Sequence, residues 1–280
     1  MCEVKMGILT CPVCAAKLEI SGNSYKCERG HSFDRARSGY VNLLLSKHIG
    51  KTVHGDNKLM VQARRSFLEK GYYSPLCEAL CSTVEKYSSG GSILDAGCGE
   101  GYYTSAISDR LEGSGKAADI YGIDVSKTAV DYAAKLNKSV TYAAASVFHI
   151  PVSDSSCSML VTLFAPYSSD EFRRVLGDGG IMIMAIPSED HLWELKQAIY
   201  DTPYKNVVRP YELEGFKFLE KQRITYSMHL ESQEDIQSLF SMTPYYYRTG
   251  KTQQERLLAL DSLDTTADFE LLTYQITAKD

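Results

Sequence analysis

One stretch, Ile93-Leu-Asp-Ala-Gly-Cys-Gly-Glu-Gly-Tyr-Tyr-Thr104, constrains the fold of this 280-residue chain more than any other. Ile93 and Leu94 close a buried strand, and the chain then passes through Gly97, Gly99 and Gly101. Glycines in this arrangement let the backbone turn sharply and approach a ligand with no Cβ in the way. Residues 102–111 follow as a helix whose first amides can point at that ligand. Strand, glycine loop and helix in this order make one βα unit of an α/β protein, with a loop suited to a nucleoside cofactor.

The spacing narrows the cofactor. A dinucleotide fingerprint needs a third glycine at a position that Asp95-Ala-Gly97-Cys-Gly99-Glu-Gly101 does not provide, and a Walker lysine is missing too. The run instead resembles motif I of the S-adenosylmethionine-dependent methyltransferases, which implies Asp95, Gly97, Gly99, Glu100 and Gly101 as cofactor residues. A second strand, 119–124, ends in Asp124 about twenty residues beyond the last glycine, where ribose hydroxyls need an acceptor. Helix 126–136 and strands 140–144, 157–164 and 181–186 continue the alternation of a parallel sheet. At the end of strand 140–144, Ser146 is placed to meet an adenine edge and Val147 to cover it, and Ala165-Pro166 to lie beside the methionine and the acceptor. Strands 216–228 and 269–277 add an antiparallel hairpin, which completes a Rossmann-like, seven-stranded class I methyltransferase sheet.

The front of the chain carries a different signal. Cys11-Pro-Val-Cys14 and Cys27-Glu-Arg-Gly-His31 are two tight ligand pairs separated by twelve residues, with Pro12 and Gly30 suited to the turns that aim them at one tetrahedral centre. Two short strands, 18–20 and 24–26, flank the turn Ser21-Gly-Asn23 between the pairs. With all four places filled by protein, the expected metal is a structural Zn2+ holding a segment too small for a core of its own. No apolar run approaches the ~20 residues of a membrane span, and the start, Met-Cys-Glu-Val-Lys-Met, has no signal-peptide core, so the expectation is a cytoplasmic protein with no membrane partner. The net charge of −5 hides an asymmetry: residues 1–75 hold 12 Lys and Arg against 6 Asp and Glu, and the remainder holds 18 against 29. A nucleic acid gripped by the front of the chain would call for that distribution.

Between the two motifs, the cationic loop 48–55 reads as a phosphate contact, a mobile lid or a solvated connector. Asp56 is a cap for helix 57–70, whose Leu59, Met60, Ala63, Phe67 and Leu68 form an apolar stripe that Arg64 and Arg65 leave. A helix over 75–87 places Cys77 and Cys81 one turn apart, as core residues. Near the end, Pro244-Tyr-Tyr-Tyr247-Arg248 is read as core packing ahead of a platform for a splayed base.

Taken together these marks resemble the bacterial 23S ribosomal RNA (guanine-N1)-methyltransferases over nearly the whole chain. The residues that carry the resemblance include the two Cys/His pairs, His31-Ser-Phe-Asp34, Gly39-Tyr-Val-Asn-Leu43, Gln62-Ala-Arg-Arg65, Gly71-Tyr-Tyr73, Asp124-Val-Ser-Lys127, His191-Leu192 and Met242-Thr-Pro244. The resemblance implies methyl transfer from S-adenosyl-L-methionine to N1 of a guanine in a 23S rRNA hairpin loop, at position 748 or 745. It implies Cys11, Cys14, Cys27 and His31 as zinc ligands and Tyr73, Gly99, Glu100 and His191 as cofactor contacts. The expected organisation is a zinc-binding, RNA-recognising domain over 1–50, linker helices over 51–90 and the catalytic domain over 91–280, with 23S rRNA as partner; the sequence leaves the oligomeric state open, a homodimer among the alternatives. His149, His191, Asp124 and Glu100 are candidates for the group that takes the guanine N1 proton, and none is assigned. Two other readings fit the same motifs: a methyltransferase of a small molecule, and a non-catalytic RNA-binding protein that keeps the fold.

Overall fold

The computed structural model describes residues 7–45, 57–208 and 210–278. The cationic loop 48–55 and Asp56 lie outside the described residues. The chain begins with a small antiparallel sheet of β1 (Glu19–Ser21), β2 (Ser24–Lys26) and β3 (Ser32–Asp34), followed by β4 (Val41–Asn42). Then come α1 (Lys58–Glu69), α2 (Ser74–Tyr87), β5 (Ser92–Ala96), α3 (Tyr102–Gly113), β6 (Asp119–Asp124), α4 (Lys127–Leu136) and β7 (Thr141–Ala144). The remainder is β8 (Cys157–Leu163), α5 (Ser169–Val175), β9 (Leu176–Pro187), α6 (Trp193–Ile199), β10 (Phe216–Leu230), α7 (Gln233–Ser241), α8 (Lys251–Leu258) and β11 (Leu263–Ile276).

The main sheet has eight strands in the order β10-β11-β9-β8-β5-β6-β7-β4. The seven expected strands are there, and the eighth, β4, is lent by the N-terminal unit, pairing parallel with β7 through Val41 opposite Ala143 and Asn42 opposite Ala144. The strands from β9 to β4 run parallel, and β11 and β10 close the other side antiparallel. Parallel neighbours need crossovers, and those crossovers cover the faces of the sheet. On one face Phe67 and Leu68 of α1, Leu76 and Leu80 of α2, Ile107 of α3, Val130 of α4, Leu195 of α6 and Leu239 of α7 form one core with Ile93, Met159 and Ile183 of the sheet. The helices expected as linkers are therefore packed into the same body as the strands.

The opposite face is covered mainly by the N-terminal unit. Leu9, Leu18, Tyr25 and Leu43 are buried with Leu94, Tyr121, Ile123 and Ala143 of the sheet and with Phe172 of α5. Backbone hydrogen bonds join the two parts: Thr10 N–H donates to Pro151 O at 2.9 Å, Ser153 N–H to Ile8 O at 2.9 Å and Leu43 N–H to Ala144 O at 2.9 Å. A segment that could not bury a core alone thus shares its core with the sheet.

Local differences from the sequence reading have local causes. Asn57 caps α1, its side chain accepting from Met60 N–H at 3.0 Å. Leu59 is 75% exposed, and Val61 is buried in its stead. Arg64 does not leave the buried stripe: it follows Met60 by four residues and precedes Phe67 by three, and such residues share a helix face. α6 starts at Trp193 because Leu192 takes a left-handed φ of 58°. Cys77 and Cys81 are core residues as expected, and Tyr245 is buried while Tyr247 points out. Among the described residues no helix is long and apolar enough to cross a membrane.

Candidate cofactor cleft and metal centre

β5, β6, β7 and β8 are parallel, so their carboxyl ends meet at one edge of the sheet, the edge where open α/β sheets bind ligands. The glycine loop after β5 is held there from below. Gly97 and Cys98 both donate to Ile123 O at 2.9 Å, and Gly99 N–H donates to Asp124 Oδ2 at 3.1 Å. The second Asp124 oxygen accepts from Ser126 N–H at 2.7 Å, and the Ser126 side chain caps α4. Asp124, expected to meet ribose hydroxyls, thus also fixes the loop.

The three glycines do different work. A Cβ on Gly97 would lie 2.4 Å from Ala165 Cβ, and one on Gly101 would lie 2.8 Å from Ala133 Cβ. These two glycines are required by protein packing, whatever else the loop approaches. A Cβ on Gly99 would meet nothing closer than Arg64 Nη1 at 3.7 Å. Of the three, Gly99 alone has room for a Cβ.

Asp95, at the strand end, is 2% exposed and accepts from Thr104 Oγ1 at 2.5 Å. Its other oxygen accepts no hydrogen bond among the described residues. Burial pushes this carboxyl up to about 7, against the lowering effect of the Thr104 hydroxyl. The folded protein therefore keeps a proton that the unfolded chain gives up from an ordinary carboxylate. Stability contributed by this group is complete below the usual carboxylate range and is lost as pH rises through about 7. Asp95→Asn should remove that loss: relative to wild type, the variant gains melting temperature on going from about pH 5 to about pH 8. Calorimetry at the two pH values checks this, and parallel curves for the two proteins would exclude Asp95 as the source.

Tyr73, His191 and Phe269 form an aromatic wall, with Tyr73 4.9 Å and His191 4.5 Å from Phe269 between ring centroids. Both Tyr73 and His191 are buried. His191 Nδ1 accepts from Asp268 N–H at 3.3 Å, and burial, with the Lys196 cation adding to it, pushes the imidazole down to about 3. The ring is neutral with its proton on Nε2, a donor rather than a base. Ser146 Oγ accepts from Phe148 N–H at 3.2 Å. Val147 is buried in the core shared with the N-terminal unit. His149 is exposed on the turn after β7. Two residues on this edge were not read from the sequence as part of the cofactor site. Phe164, half-exposed in a left-handed conformation with φ of 57°, rests 5.6 Å from Phe269 between centroids. Arg64 pairs with Glu100 across 3.9 Å.

The metal-ligand geometry at the front of the chain is equally definite. Cys11, Cys14, Cys27 and His31 offer ligand atoms that all lie within 4.8 Å of one another. Cys14 and Cys27 sulfurs are 3.7 Å apart, and His31 Nδ1 is 3.5 Å from the Cys11 sulfur and 3.4 Å from the Cys27 sulfur. Tetrahedral zinc with ~2.3 Å bonds to sulfur and ~2.0 Å bonds to nitrogen gives S···S and S···N edges of about 3.8 and 3.5 Å, so the donor set fits.

Comparison with known proteins follows the same division. Residues 9–48 match the zinc-ribbon family described as "RlmA, N-terminal", and residues 93–180 match the family described as "Methyltransferase domain". A Bacillus subtilis (strain 168) protein named "Putative 23S rRNA (guanine-N(1)-)-methyltransferase YxjB" is 34% identical over 280 residues, covering 96% of this chain and 97% of that one. The chain belongs to the 23S rRNA (guanine-N1)-methyltransferase family. A second relative, the 23S rRNA (guanine(748)-N(1))-methyltransferase of Streptomyces fradiae, is 36% identical over 195 residues, 68% of this chain and 67% of that one. As a member of this family the chain is an S-adenosylmethionine-dependent methyltransferase with a zinc ribbon. The α/β sheet with its parallel centre and the four-ligand cluster are the structural counterparts of those two assignments.

Proposed function

We propose that this protein transfers a methyl group from S-adenosyl-L-methionine to N1 of a guanine in a hairpin loop of 23S rRNA. The observation that carries the reading is the seating of the metal-ligand unit: it joins the sheet at the carboxyl end of β7, the same edge that holds the Gly97–Gly101 loop. Lys17, Lys26, Arg29 and Arg37 of that unit are exposed, cations suited to phosphates beside a cleft suited to one base. In this reading Cys11, Cys14, Cys27 and His31 hold the zinc. Gly99, Glu100, Asp124, Tyr73 and His191 line the cofactor's place, with Asp95, Gly97 and Gly101 shaping the loop and Ser146 and Val147 beside it.

The cofactor supplies a methyl group on a sulfonium, so the protein's part is to hold the acceptor nitrogen in line with it. The exposed ring of Phe164 offers a face for a base drawn out of its stack. His191 is unfit to take the N1 proton because its imidazole is held neutral down to about 3. Asp124 already accepts two backbone amides and Glu100 faces Arg64, so no general base is assigned. The same reading places the protein in the cytoplasm.

The test uses zinc-loaded protein, labelled cofactor and unmethylated 23S rRNA, with the product mapped by primer extension. A stop at one guanine of a hairpin loop is expected, since N1-methylguanine cannot pair. Full-length extension from protein that binds both cofactor and zinc would reject the reading.

A further inference from the structure

Between α6 and β10 the chain runs through a strap, residues 201–208, that has no helix or strand of its own and is nevertheless tied down along its length. Asn206 N–H donates to Glu189 O at 3.0 Å, and its side-chain amide donates to Ser188 O at 2.7 Å. The Oδ1 of the same side chain accepts from Lys196 Nζ at 2.7 Å, and Lys196 also donates to Tyr204 O at 3.1 Å. Lys205 pairs with Asp190 across 2.8 Å, and Asp201 with Arg256 of α8 across 2.6 Å. Lys196 is fully buried, its Nζ 5.2 Å from the ring centroid of Tyr204 and 5.4 Å from that of Tyr245. Both of these hydrogen-bond acceptors are neutral, so the fold bears the desolvation of an ammonium to fix the strap. The strap itself adds little to the core: Tyr204 is 47% exposed and Val207 89%, the highest figure for a large apolar residue among the described residues.

Its position gives the arrangement a purpose. Ser188 and Glu189 directly follow β9, and Phe164, the exposed ring after β8, donates its backbone N–H to Ala185 O of β9 at 3.3 Å. With the strands in the order β9-β8-β5, the strap, Phe164 and the glycine loop succeed one another along the carboxyl edge of the sheet. We propose that the strap 201–208 is a wall of the acceptor site that takes the RNA nucleotides beside the target guanine, Tyr204 stacking on a base and Lys205 meeting a phosphate, with Lys196 and Asn206 as positioning residues. The inference rests on the RNA reading above and adds a contact surface on the catalytic body, apart from the cations of the ribbon. Unpaired loop nucleotides present base faces and phosphates together, which a half-exposed tyrosine beside an exposed lysine suits. The Lys205 ammonium has three donors and can keep Asp190 while it meets a phosphate. A strap fixed in advance by Lys196 and Asn206 spares the complex the entropy of ordering it.

Two measurements on the zinc-loaded full chain separate acceptor from cofactor: methyl transfer at varied concentrations of unmethylated 23S rRNA, and calorimetric titration with S-adenosylhomocysteine. Tyr204→Ala is expected to raise KM for the RNA by about fivefold to a hundredfold, the worth of one stacked base, and to change S-adenosylhomocysteine affinity by less than about twofold. Tyr204→Phe should keep the wild-type KM, since the ring does the stacking. Lys205→Ala should reduce the slope of log KM against log salt by about 0.7, one phosphate of a single strand. Asn206→Ala should raise KM for the RNA as well, and in combination with Tyr204→Ala should add less than it does alone, because it acts through the strap. An unchanged KM and salt slope in the Tyr204→Ala and Lys205→Ala variants, or an equal loss for RNA and S-adenosylhomocysteine, overturns the proposal. Tyr204 and Lys205 are exposed, so their variants decide the matter even where Asn206→Ala melts early. Wild-type protein that leaves the RNA unmethylated would sink the RNA reading itself, a result visible before any variant is made.

Discussion

Stripping the zinc is expected to melt the methyltransferase sheet together with the ribbon, lowering the melting temperature by roughly 10 °C or more and abolishing methyl transfer. The size follows from what the metal holds in place. Cys11 and Cys27 are buried members of the core that also contains Leu94, Tyr121, Ile123 and Ala143, so loss of the metal loosens a large part of the covering of one face of the sheet. Exposed apolar area of that extent costs several kcal/mol, and about 1 kcal/mol shifts the melting temperature of a domain this large by roughly 2–4 °C. Cys27→Ser should act in the same direction as a chelator, because it removes one of four ligands and leaves a polar hydroxyl in a buried place. Calorimetry before and after chelation, with hydrogen exchange read at β7, checks the coupling. A sheet that melts at an unchanged temperature while the ribbon unfolds would show that the shared core contributes nothing. The same geometry changes how RNA recognition has to be tested. Deleting residues 1–50 removes β4 and uncovers the sheet, so lost activity would not separate an RNA-modifying enzyme from one acting on a small molecule. Charge removal at exposed Lys17, Lys26, Arg29 and Arg37 leaves the core intact and makes that separation.

The second large effect is a contrast between neighbours. Gly97→Ala puts a methyl group 2.4 Å from Ala165 Cβ at a backbone φ of 100°, so either β8's end or the loop must move. Overpacking of this kind costs about 1–3 kcal/mol, and the left-handed backbone adds to it. Cofactor affinity should fall by more than about a hundredfold, with a melting temperature lower by roughly 5–10 °C. At Gly99 the φ of 55° is one that other residues occasionally adopt, and the added methyl meets only Arg64 Nη1 at 3.7 Å. Gly99→Ala should therefore stay within a few degrees of wild type while losing cofactor affinity about tenfold or more, because its methyl enters the ligand's space. Differential scanning calorimetry and titration with S-adenosylhomocysteine measure both quantities. If Gly99→Ala binds as wild type does, Gly99 does not face the cofactor.

Much of the site was legible because its chemistry depends on residue type at short range. The Cys11/Cys14 and Cys27/His31 pairs each close within one turn, so spacing alone announced a four-ligand cluster, and the structure brings the four atoms within 4.8 Å. Gly97, Gly99 and Gly101 all have positive φ, as a strand-to-helix glycine loop requires. The alternation of strands and helices from Ser92 to Pro187 follows from hydrophobic period, which reports what each segment buries. Other features depend on partners far away in sequence. β4 is only two residues long, and Val41–Asn42 becomes a strand because β7, a hundred residues later, offers an open edge. α8 has a single buried residue, Leu257, and no apolar period to announce it.

By itself, then, the sequence determined the parallel sheet, the glycine loop with its carboxylate at Asp124, and the metal-ligand set, since each is written in the spacing of residues that act within a few positions of one another. Tertiary structure decided the rest. It assigned Gly97 and Gly101 to packing and left room for a Cβ at Gly99 alone of the three, turned Arg64 inward over Glu100, and made His191 a neutral donor by burying it. Steric clearance, electrostatic pairing and desolvation are set by atoms brought together from opposite ends of the chain, and no local pattern records them.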